Sequence, residues 1–266
     1  MGIINNQVVS QSREVRFDSG RHPLGKIGFV LLATEQTVAD DMSTLIPTGV
    51  GVHYARLNNP DSITRASLAA VEPDLVKASA SLLPDGSLDV VTYACTSGSL
   101  VLGEHRVQDL LEQGSPGARG SSIISAVIRA LRALESKSLV VVTPYLDEVN
   151  TAELHYLQQA GFEVLDFEGM NLEFDSEMVK VDPGYIRELA LEVDRPEADA
   201  IFISCGALRS IDVIQEIEDL SAKPVVSSNQ AMAWDAMRLA GIVRSITGYG
   251  RLLADTTLSH PADTTD

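Results

Sequence analysis

The sequence predicts an α/β protein of two pseudosymmetric lobes, each a mostly parallel sheet flanked by helices, with the active site in the interlobe cleft. Three observations predict this fold. Short runs rich in Val, Ile and Leu alternate with longer amphipathic segments, which is typical of βα units. A pattern of three strands recurs after about 110 residues. Each copy of that pattern ends one strand with a cysteine.

Seven segments are predicted to be strands because each is short and apolar and is bounded by polar or turn-forming residues. They are KIGFVLLA (26–33), GVGVHYARL (49–57), LDVVTYA (88–94), SLVVVTP (138–144), FEVLDFE (162–168), ADAIFIS (198–204) and PVVSS (224–228). The clearest helical spacing occurs in SITRASLAAVEPDLVKASASLL, SSIISAVIRALRALES, NTAELHYLQQAG and SNQAMAWDAMRLAG. Two of these segments end with a glycine where a helix C-cap is expected.

The internal repeat is defined by its cysteines. DVVTYAC ends at Cys95 and DAIFISC ends at Cys205, 110 positions later, and Gly51 and Gly161 are separated by the same interval. Apolar strands match each other easily by chance, whereas two cysteines in equivalent positions do not. The repeat therefore predicts two similar lobes.

The repeat and the predicted strands also indicate where the lobes begin and end. We expect an N-terminal extension at 1–25, a first lobe at 26–137 to which 224–253 returns, a second lobe at 138–223, and a C-terminal tail at 254–266.

Composition limits the partners that the protein can bind. Of 266 residues, 45% are hydrophobic and 21% are charged, which is typical of a globular protein. The formal charge of −17 disfavours nucleic acid and anionic membranes, because both would repel the chain. No apolar run reaches the ~20 residues that span a bilayer, and the N-terminus lacks the layout of a secretory signal. We therefore expect a cytoplasmic protein that binds neither nucleic acid nor membrane.

The two cysteines are the strongest candidates for catalysis. In a reducing compartment they are expected to be free thiols. Ligands of open parallel sheets bind beyond the carboxyl ends of the strands, so Cys95 and Cys205 are predicted to face the cleft from its two sides. The alternative for each cysteine alone is a small buried apolar residue.

Small residues follow each cysteine and are predicted to open a helix. Thr96, Ser97, Gly98 and Ser99 would then present unpaired N–H groups that stabilise a thiolate and hold a substrate anion. Gly206 and Ala207 would do the same after the second cysteine. A helix N-cap without any ligand is the alternative for this segment.

These segments support a family resemblance. TYACTSGS, SCGALRS and a strand that contains TPY resemble the aspartate/glutamate racemase superfamily, in its maleate isomerase and arylmalonate decarboxylase branch. The resemblance extends from about Lys26 to Leu253. LLATEQTVADDM, VTPYLDEVN and VSSNQAMAWD look closest to the ectoine-utilisation protein A group.

The resemblance implies a reaction that uses neither a metal nor an organic cofactor and a dimer or larger homo-oligomer. It implies that Cys95 and Cys205 act as acid and base, or as nucleophile and acid. Tyr145 matches a tyrosine that binds the substrate carboxylate, and Asn171 falls near an asparagine that binds substrate in maleate isomerases. Glutamate racemases carry Thr-His after the second cysteine, whereas this chain has Gly206 and Ala207, so no neighbouring histidine assists that thiol.

Glu35 departs from the resemblance. Maleate isomerases place an asparagine at this point of the first loop, and a carboxylate there would repel the second carboxylate of maleate. One hypothesis is that Glu35 pairs with an amine or amidinium of the substrate, which would be an amino acid or an ectoine-derived compound. The other is that Glu35 turns outward or caps the following helix.

Three functions remain open from the sequence. The first is a racemase, epimerase or cis–trans isomerase of a small amino or carboxylic acid, placed by the finer resemblance in ectoine or hydroxyectoine breakdown. The second is an arylmalonate-type decarboxylase that uses Cys205 alone. The third is a protein that binds a small carboxylate without catalysis. The presence of two cysteines favours the isomerase, because one proton donor suffices for a decarboxylase.

Overall fold

Two four-stranded parallel sheets form the frame of the molecule. The computed structural model describes residues 2–4 and 7–261. The strands are β1 (Gly2–Ile4), β2 (Gln7–Val9), β3 (Gly25–Leu32), β4 (Val50–Leu57), β5 (Val90–Tyr93), β6 (Arg119–Ser122), β7 (Ser138–Thr143), β8 (Glu163–Gly169), β9 (Ala200–Ile203) and β10 (Val225–Ser227). The first sheet has the order β4-β3-β5-β6 and the second the order β10-β9-β7-β8, whereas β1 and β2 form a separate antiparallel pair.

All seven predicted strands are confirmed, and the central ones are buried throughout. Every residue of β5, β7 and β9 is buried, which explains their continuous apolar sequences, since helices cover both faces of a parallel sheet. Strand β6 was not predicted. Its sequence, RGSS, has neither alternation nor β-branched residues, and it forms only because it pairs with β5 at the edge of the sheet.

The strand registers agree with the predicted repeat. Val30 pairs with Tyr93 in the first sheet, and Val142 pairs with Ile203 in the second. Each cysteine lies two residues beyond the strand that carries it, so Cys95 and Cys205 occupy equivalent positions at the carboxyl ends of β5 and β9.

Twelve α-helices are described, and they surround the sheets. They are α1 (Val38–Leu45), α2 (Arg65–Ala69), α3 (Leu75–Ala80), α4 (Thr96–Leu102), α5 (Glu104–Gly114), α6 (Ile123–Ala133), α7 (Asp147–Gln159), α8 (Asp175–Met178), α9 (Pro183–Glu192), α10 (Ile214–Ser221), α11 (Ser228–Leu239) and α12 (Arg251–Ala254). The helix predicted from SITRASLAAVEPDLVKASASLL is interrupted, because Pro73 lies in a 3₁₀ turn between α2 and α3.

Two expectations about the chain path need correction. Residues 224–253 were assigned to the first lobe, but β10 pairs with β9 and so joins the second sheet. The helix that follows, α11, packs mainly against α6 of the first lobe. The helix expected directly after Cys205 is also absent from the described chain, because residues 206–209 form a turn and α10 begins only at Ile214.

The predicted N-terminal extension and C-terminal tail are described in part. The predicted extension (1–25) contains β1 and β2 and ends where β3 begins, apart from residues 1, 5 and 6, which are outside the described part. Residues 262–266 of the predicted tail are also outside it. Within the described chain, no helix has the length and apolar character needed to span a bilayer.

Candidate active site

A cavity lies at the carboxyl ends of β5 and β9, and residues from both lobes line it. The lining residues that were predicted from the sequence are Glu35, Cys95, Thr96, Ser97, Tyr145, Cys205, Gly206 and Ala207. Both cysteines are free thiols. The structure therefore brings one sulfur from each lobe to a single cavity.

Cys95 is the N-cap residue of α4. Its Sγ accepts a hydrogen bond from the backbone N–H of Gly98 at 3.3 Å and lies 3.7 Å from the hydroxyl oxygen of Ser97. Glycine is required at position 98 because an added Cβ would collide with the hydroxyl of Tyr93 and come within 3.0 Å of Sγ. The small residues after Cys95 thus bring backbone and hydroxyl donors to the sulfur.

Burial outweighs these donors in setting the charge of Cys95. The side chain is 8% exposed, and burial raises the pKa of its thiol to about 11. The N–H of Gly98 and the hydroxyl of Ser97 lower the pKa, and the nearby carboxyl of Asp175 raises it. The helix terminus was expected to stabilise a thiolate. Instead, the thiol is protonated at neutral pH.

Cys205 has an unusual backbone. Its φ is +98°, a region that L-residues other than glycine seldom occupy. Its N–H donates to Ser228 Oγ at 3.0 Å, and Cys205 Sγ accepts a hydrogen bond from the N–H of Ala207 at 3.4 Å. Asn229, from α11, stabilises the turn that follows Cys205, because its Nδ2 donates to the carbonyl of Gly206 at 2.8 Å.

These contacts give a structural role to the polar segment after β10. Ser227 caps α11 and forms a capping box with Gln230. Ser228 Oγ accepts a hydrogen bond from Thr96 Oγ1 at 3.0 Å as well as from the N–H of Cys205, so it connects the two cysteine segments. Through these hydrogen bonds the segment holds the backbone around the two cysteines in place, and it does not itself line the cavity.

The strain at Cys205 leads to a stability prediction. Cys205→Gly is expected to be more stable than Cys205→Ala by about 1 kcal/mol, because glycine removes a backbone cost of about 1–3 kcal/mol and loses about 0.5–1 kcal/mol through unfolded-state entropy. Urea unfolding of the two variants measures the difference. The same pair at Cys95, where φ is −134°, should show alanine as the more stable. Greater stability of the alanine variant at both cysteines would show that Cys205 is not strained.

Tyr145 lies beside Cys205. Its backbone N–H donates to Thr143 Oγ1 at 3.3 Å, and its carbonyl accepts from Asn150 Nδ2 at 2.9 Å. The side chain is 2% exposed. Burial raises the pKa of the Cys205 thiol and the charge of Asp175 raises it further, whereas the hydrogen bond from Tyr145 lowers it. Tyr145 is thus the donor next to the second thiol, in the position where the resemblance placed a substrate-binding tyrosine.

Glu35 caps a helix and lines the cavity at the same time. Its Oε1 accepts the N–H groups of Thr37 and Val38, the latter at 2.6 Å, at the start of α1. Its Oε2 is buried and has no hydrogen-bond partner among the described residues. Burial raises the pKa of this carboxyl. The outward orientation considered from the sequence is therefore wrong.

The sequence missed Asp175, which also lines the cavity together with Ile63 and Met178. This part of the second lobe crosses to the first, where the N–H of Ile63 donates to the carbonyl of Glu173 at 2.8 Å. The approach depends on tertiary contacts between two loops, and no local motif marks it. Asn171, predicted in the same loop, is exposed, has φ +56° and does not line the cavity.

Comparison with known proteins shows the family. The family model described as arylmalonate decarboxylase matches residues 34–253. The chain belongs to the arylmalonate decarboxylase family. This result confirms the branch of the superfamily to which the cysteine segments pointed.

Curated relatives in this family include both isomerases and decarboxylases. The maleate isomerase of Nocardia farcinica is 26% identical over 243 residues, which cover 86% of this chain and 95% of the relative. The arylmalonate decarboxylase of Bordetella bronchiseptica is 33% identical over 135 residues, which cover 50% of this chain and 56% of the relative.

Solved structures confirm the two-lobed fold. A liganded mutant of arylmalonate decarboxylase, 28% identical, has a TM-score of 0.79 and covers 86% of this chain and 98% of its own. A maleate isomerase from Pseudomonas putida S16, 22% identical, has a TM-score of 0.81 and covers 87% of this chain and 99% of its own. A cysteine mutant of the Nocardia farcinica maleate cis–trans isomerase, 24% identical with a TM-score of 0.81, carries a covalently bound succinylcysteine intermediate.

Proposed function

We propose that the protein is a cofactor-independent isomerase that uses Cys95 and Cys205 on opposite sides of a small amino or carboxylic acid. The observation that carries this proposal is that two thiols, one from each lobe, line one cavity. A thiolate on one side can accept a proton from the substrate while a thiol on the other side returns one, which inverts or isomerises the carbon between them.

The local backbone distinguishes the two thiols. Cys95 caps α4, whose first N–H groups and dipole favour a thiolate, whereas a turn follows Cys205, so we assign the proton-accepting or nucleophilic role to Cys95. The active form then contains a Cys95 thiolate and a Cys205 thiol. Tyr145 and the N–H groups after each cysteine hold the substrate carboxylate, which also stabilises negative charge that develops on it.

Two isomerisations use this arrangement. In racemisation, Cys95 removes a proton from Cα, the electron pair delocalises into the carboxylate, and Cys205 protonates the opposite face. In cis–trans isomerisation, Cys95 adds to a double bond, Cys205 protonates the adjacent carbon, rotation follows, and both additions reverse. The succinylcysteine intermediate of the Nocardia farcinica isomerase is a product of the second type of addition.

Deuterium exchange tests the proposal. Candidate substrates, including amino acids of ectoine and hydroxyectoine breakdown as the finer resemblance implies, are incubated with the protein in deuterated water and followed by NMR; maleate is followed in parallel. We expect racemisation with Cα–H exchange, or conversion of maleate to fumarate, with the wild type, and neither racemisation nor maleate conversion after replacement of either cysteine. Racemisation or maleate conversion that survives both single replacements would reject the two-thiol mechanism.

A decarboxylase is the second candidate, favoured by the family match itself. It would release carbon dioxide from a malonate-type substrate and would tolerate Cys95→Ala, because Cys205 alone supplies the proton. A non-catalytic binding protein would bind its ligand tightly without incorporating deuterium. The same set of experiments therefore separates all three functions.

A further inference from the structure

Two residues with carboxyl side chains line the ligand cavity, one from each lobe. Glu35 follows β3 of the first sheet, and Asp175 follows β8 of the second. The two residues lie close together. Thr34, which directly precedes Glu35, donates a hydrogen bond from its Oγ1 to Asp175 Oδ2 at 2.6 Å. The mechanism described above assigns neither carboxyl a role.

Glu35 has an unused acceptor at this position. The side chain is 5% exposed, and its Oε1 is occupied by two backbone N–H groups. Its Oε2 has no partner among the described residues. A buried carboxylate oxygen without a hydrogen bond is destabilising, so this atom requires a donor from the ligand or a bound proton.

No cationic side chain of the described residues forms an ion pair with either carboxyl. Of the described residues that line the cavity, none is Lys, Arg or His. The guanidinium of Arg56 uses Nη1 to hold the backbone carbonyls of Leu32 and Glu35, and its charge lowers the pKa of Glu35 without outweighing burial. Burial consequently raises the pKa of both carboxyls.

We propose that Glu35 and Asp175 form a subsite for the ammonium group of the substrate. This inference rests on the proposed function and narrows its substrate to an amino acid. An ammonium group supplies three donors, which can satisfy Glu35 Oε2 and Asp175 together. A dicarboxylate such as maleate would place a second negative charge against them in a buried cavity, where like charges repel strongly.

The subsite also connects substrate binding to the thiols. Asp175 raises the pKa of both Cys95 and Cys205 through its charge. A substrate ammonium group beside Asp175 offsets that effect and makes loss of the Cys95 proton easier. Binding of the correct ligand thus favours the thiolate that the reaction needs.

Matched pairs of ligands test the subsite by isothermal titration calorimetry. Each pair contrasts an amino acid with the 2-hydroxy acid of the same skeleton, for example alanine with lactate and aspartate with malate; maleate is the dianion probe. We expect at least one amino acid to bind about 10- to 100-fold more tightly than its hydroxy acid, the range of a hydrogen bond to a charged group. Binding of no amino acid, or a preference for the hydroxy acids or maleate, would overturn the proposal.

Single variants test whether each carboxyl acts on the ligand through its charge or only supports the fold. Glu35→Gln and Asp175→Asn are expected to raise Kd for the amino acid about 10-fold or more and to leave Kd for the hydroxy acid within about 3-fold. Glu173→Gln is the control: it removes the same charge from the same loop, and Glu173 binds Ser62 Oγ outside the cavity. Equal weakening of both ligands of a pair would show a structural role only and reject the subsite.

The outcomes also distinguish this inference from the proposed function. Cysteine-dependent conversion of maleate without binding of any amino acid would retain the isomerase and reject the subsite. Carboxyl-dependent binding of an amino acid, with neither deuterium exchange nor any effect of the cysteine replacements, would retain the subsite and reject the isomerase.

Discussion

Replacement of either Cys95 or Cys205 with serine is expected to lower kcat by about 10⁴-fold. Each thiol carries a proton or bond-forming step of the proposed mechanism, and acid–base groups of this kind contribute up to about 10⁴-fold. Serine keeps the size of the side chain, and its hydroxyl is too weak an acid to form the anion. Steady-state kinetics on the substrate found by deuterium exchange measures the loss.

The control for this prediction is to show that each serine variant is still folded. Both thiols are buried, so the far-ultraviolet circular dichroism and the thermal unfolding midpoint of each serine variant should be compared with those of the wild type. A folded Cys95→Ser variant with more than a tenth of wild-type activity would contradict the two-thiol mechanism and favour the decarboxylase, whose chemistry needs only Cys205.

The fold could be predicted because its signals are local and repeated. Continuous apolar strands such as β7 and β9 have few alternatives to the interior of a parallel sheet. The positions of Cys95 and Cys205 then followed from the registers, since equivalent strands must end at the same edge of their sheets. Both cysteines consequently line one cavity, as the repeat predicted.

The elements that were missed depend on tertiary contacts. Strand β6 has no sequence signature and exists because β5 offers it an edge to pair with. The turn after Cys205 replaces a predicted helix because Ser228 and Asn229, which are more than twenty positions away, hold its backbone. Secondary-structure propensity and hydrophobic periodicity describe residues that are close in sequence, so they do not reveal partners that are distant in sequence.

Among the residues that line the cavity, too, those set by local sequence were predicted and those set by tertiary contacts were missed. Cys95 and Tyr145 follow strands directly, so sequence position determined where they lie. Asp175 reaches the cavity because its loop crosses to the other lobe, where the N–H of Asp175 donates to the carbonyl of Asp61 at 3.0 Å. The resemblance pointed to Asn171, which lies in the same loop four positions before Asp175 but does not line the cavity.

Charge was the least predictable property of the site. The small residues after Cys95 do place a backbone donor on its sulfur, as expected. Burial nevertheless determines the direction of the pKa shift for both thiols. The extent of burial depends on the tertiary packing around each thiol, so a sequence can identify the donors without indicating whether they or desolvation dominate.

Tyr145→Phe is expected to lower kcat by about 10²-fold while KM changes by less than about 3-fold. The hydroxyl is a buried donor beside Cys205 and the substrate anion, and one preorganised donor of this kind contributes about 10²–10³-fold. Its effect is on the transition state, where negative charge develops, and so it appears mainly in kcat. Tyr54→Phe is the matched control, because the Tyr54 hydroxyl binds the carbonyl of Ala39 outside the cavity.

The same variant should also shift the pH dependence of kcat/KM. Tyr145 lowers the pKa of the Cys205 thiol, so its removal raises that pKa further. Cys205 must keep its proton in the active form, so the descending limb of the profile moves to higher pH, whereas the ascending limb, which reports ionisation of Cys95, stays in place. An unchanged kcat together with an unchanged profile would show that Tyr145 only fills space, and the role of donor to the second thiol would then fall to the N–H of Ala207 alone.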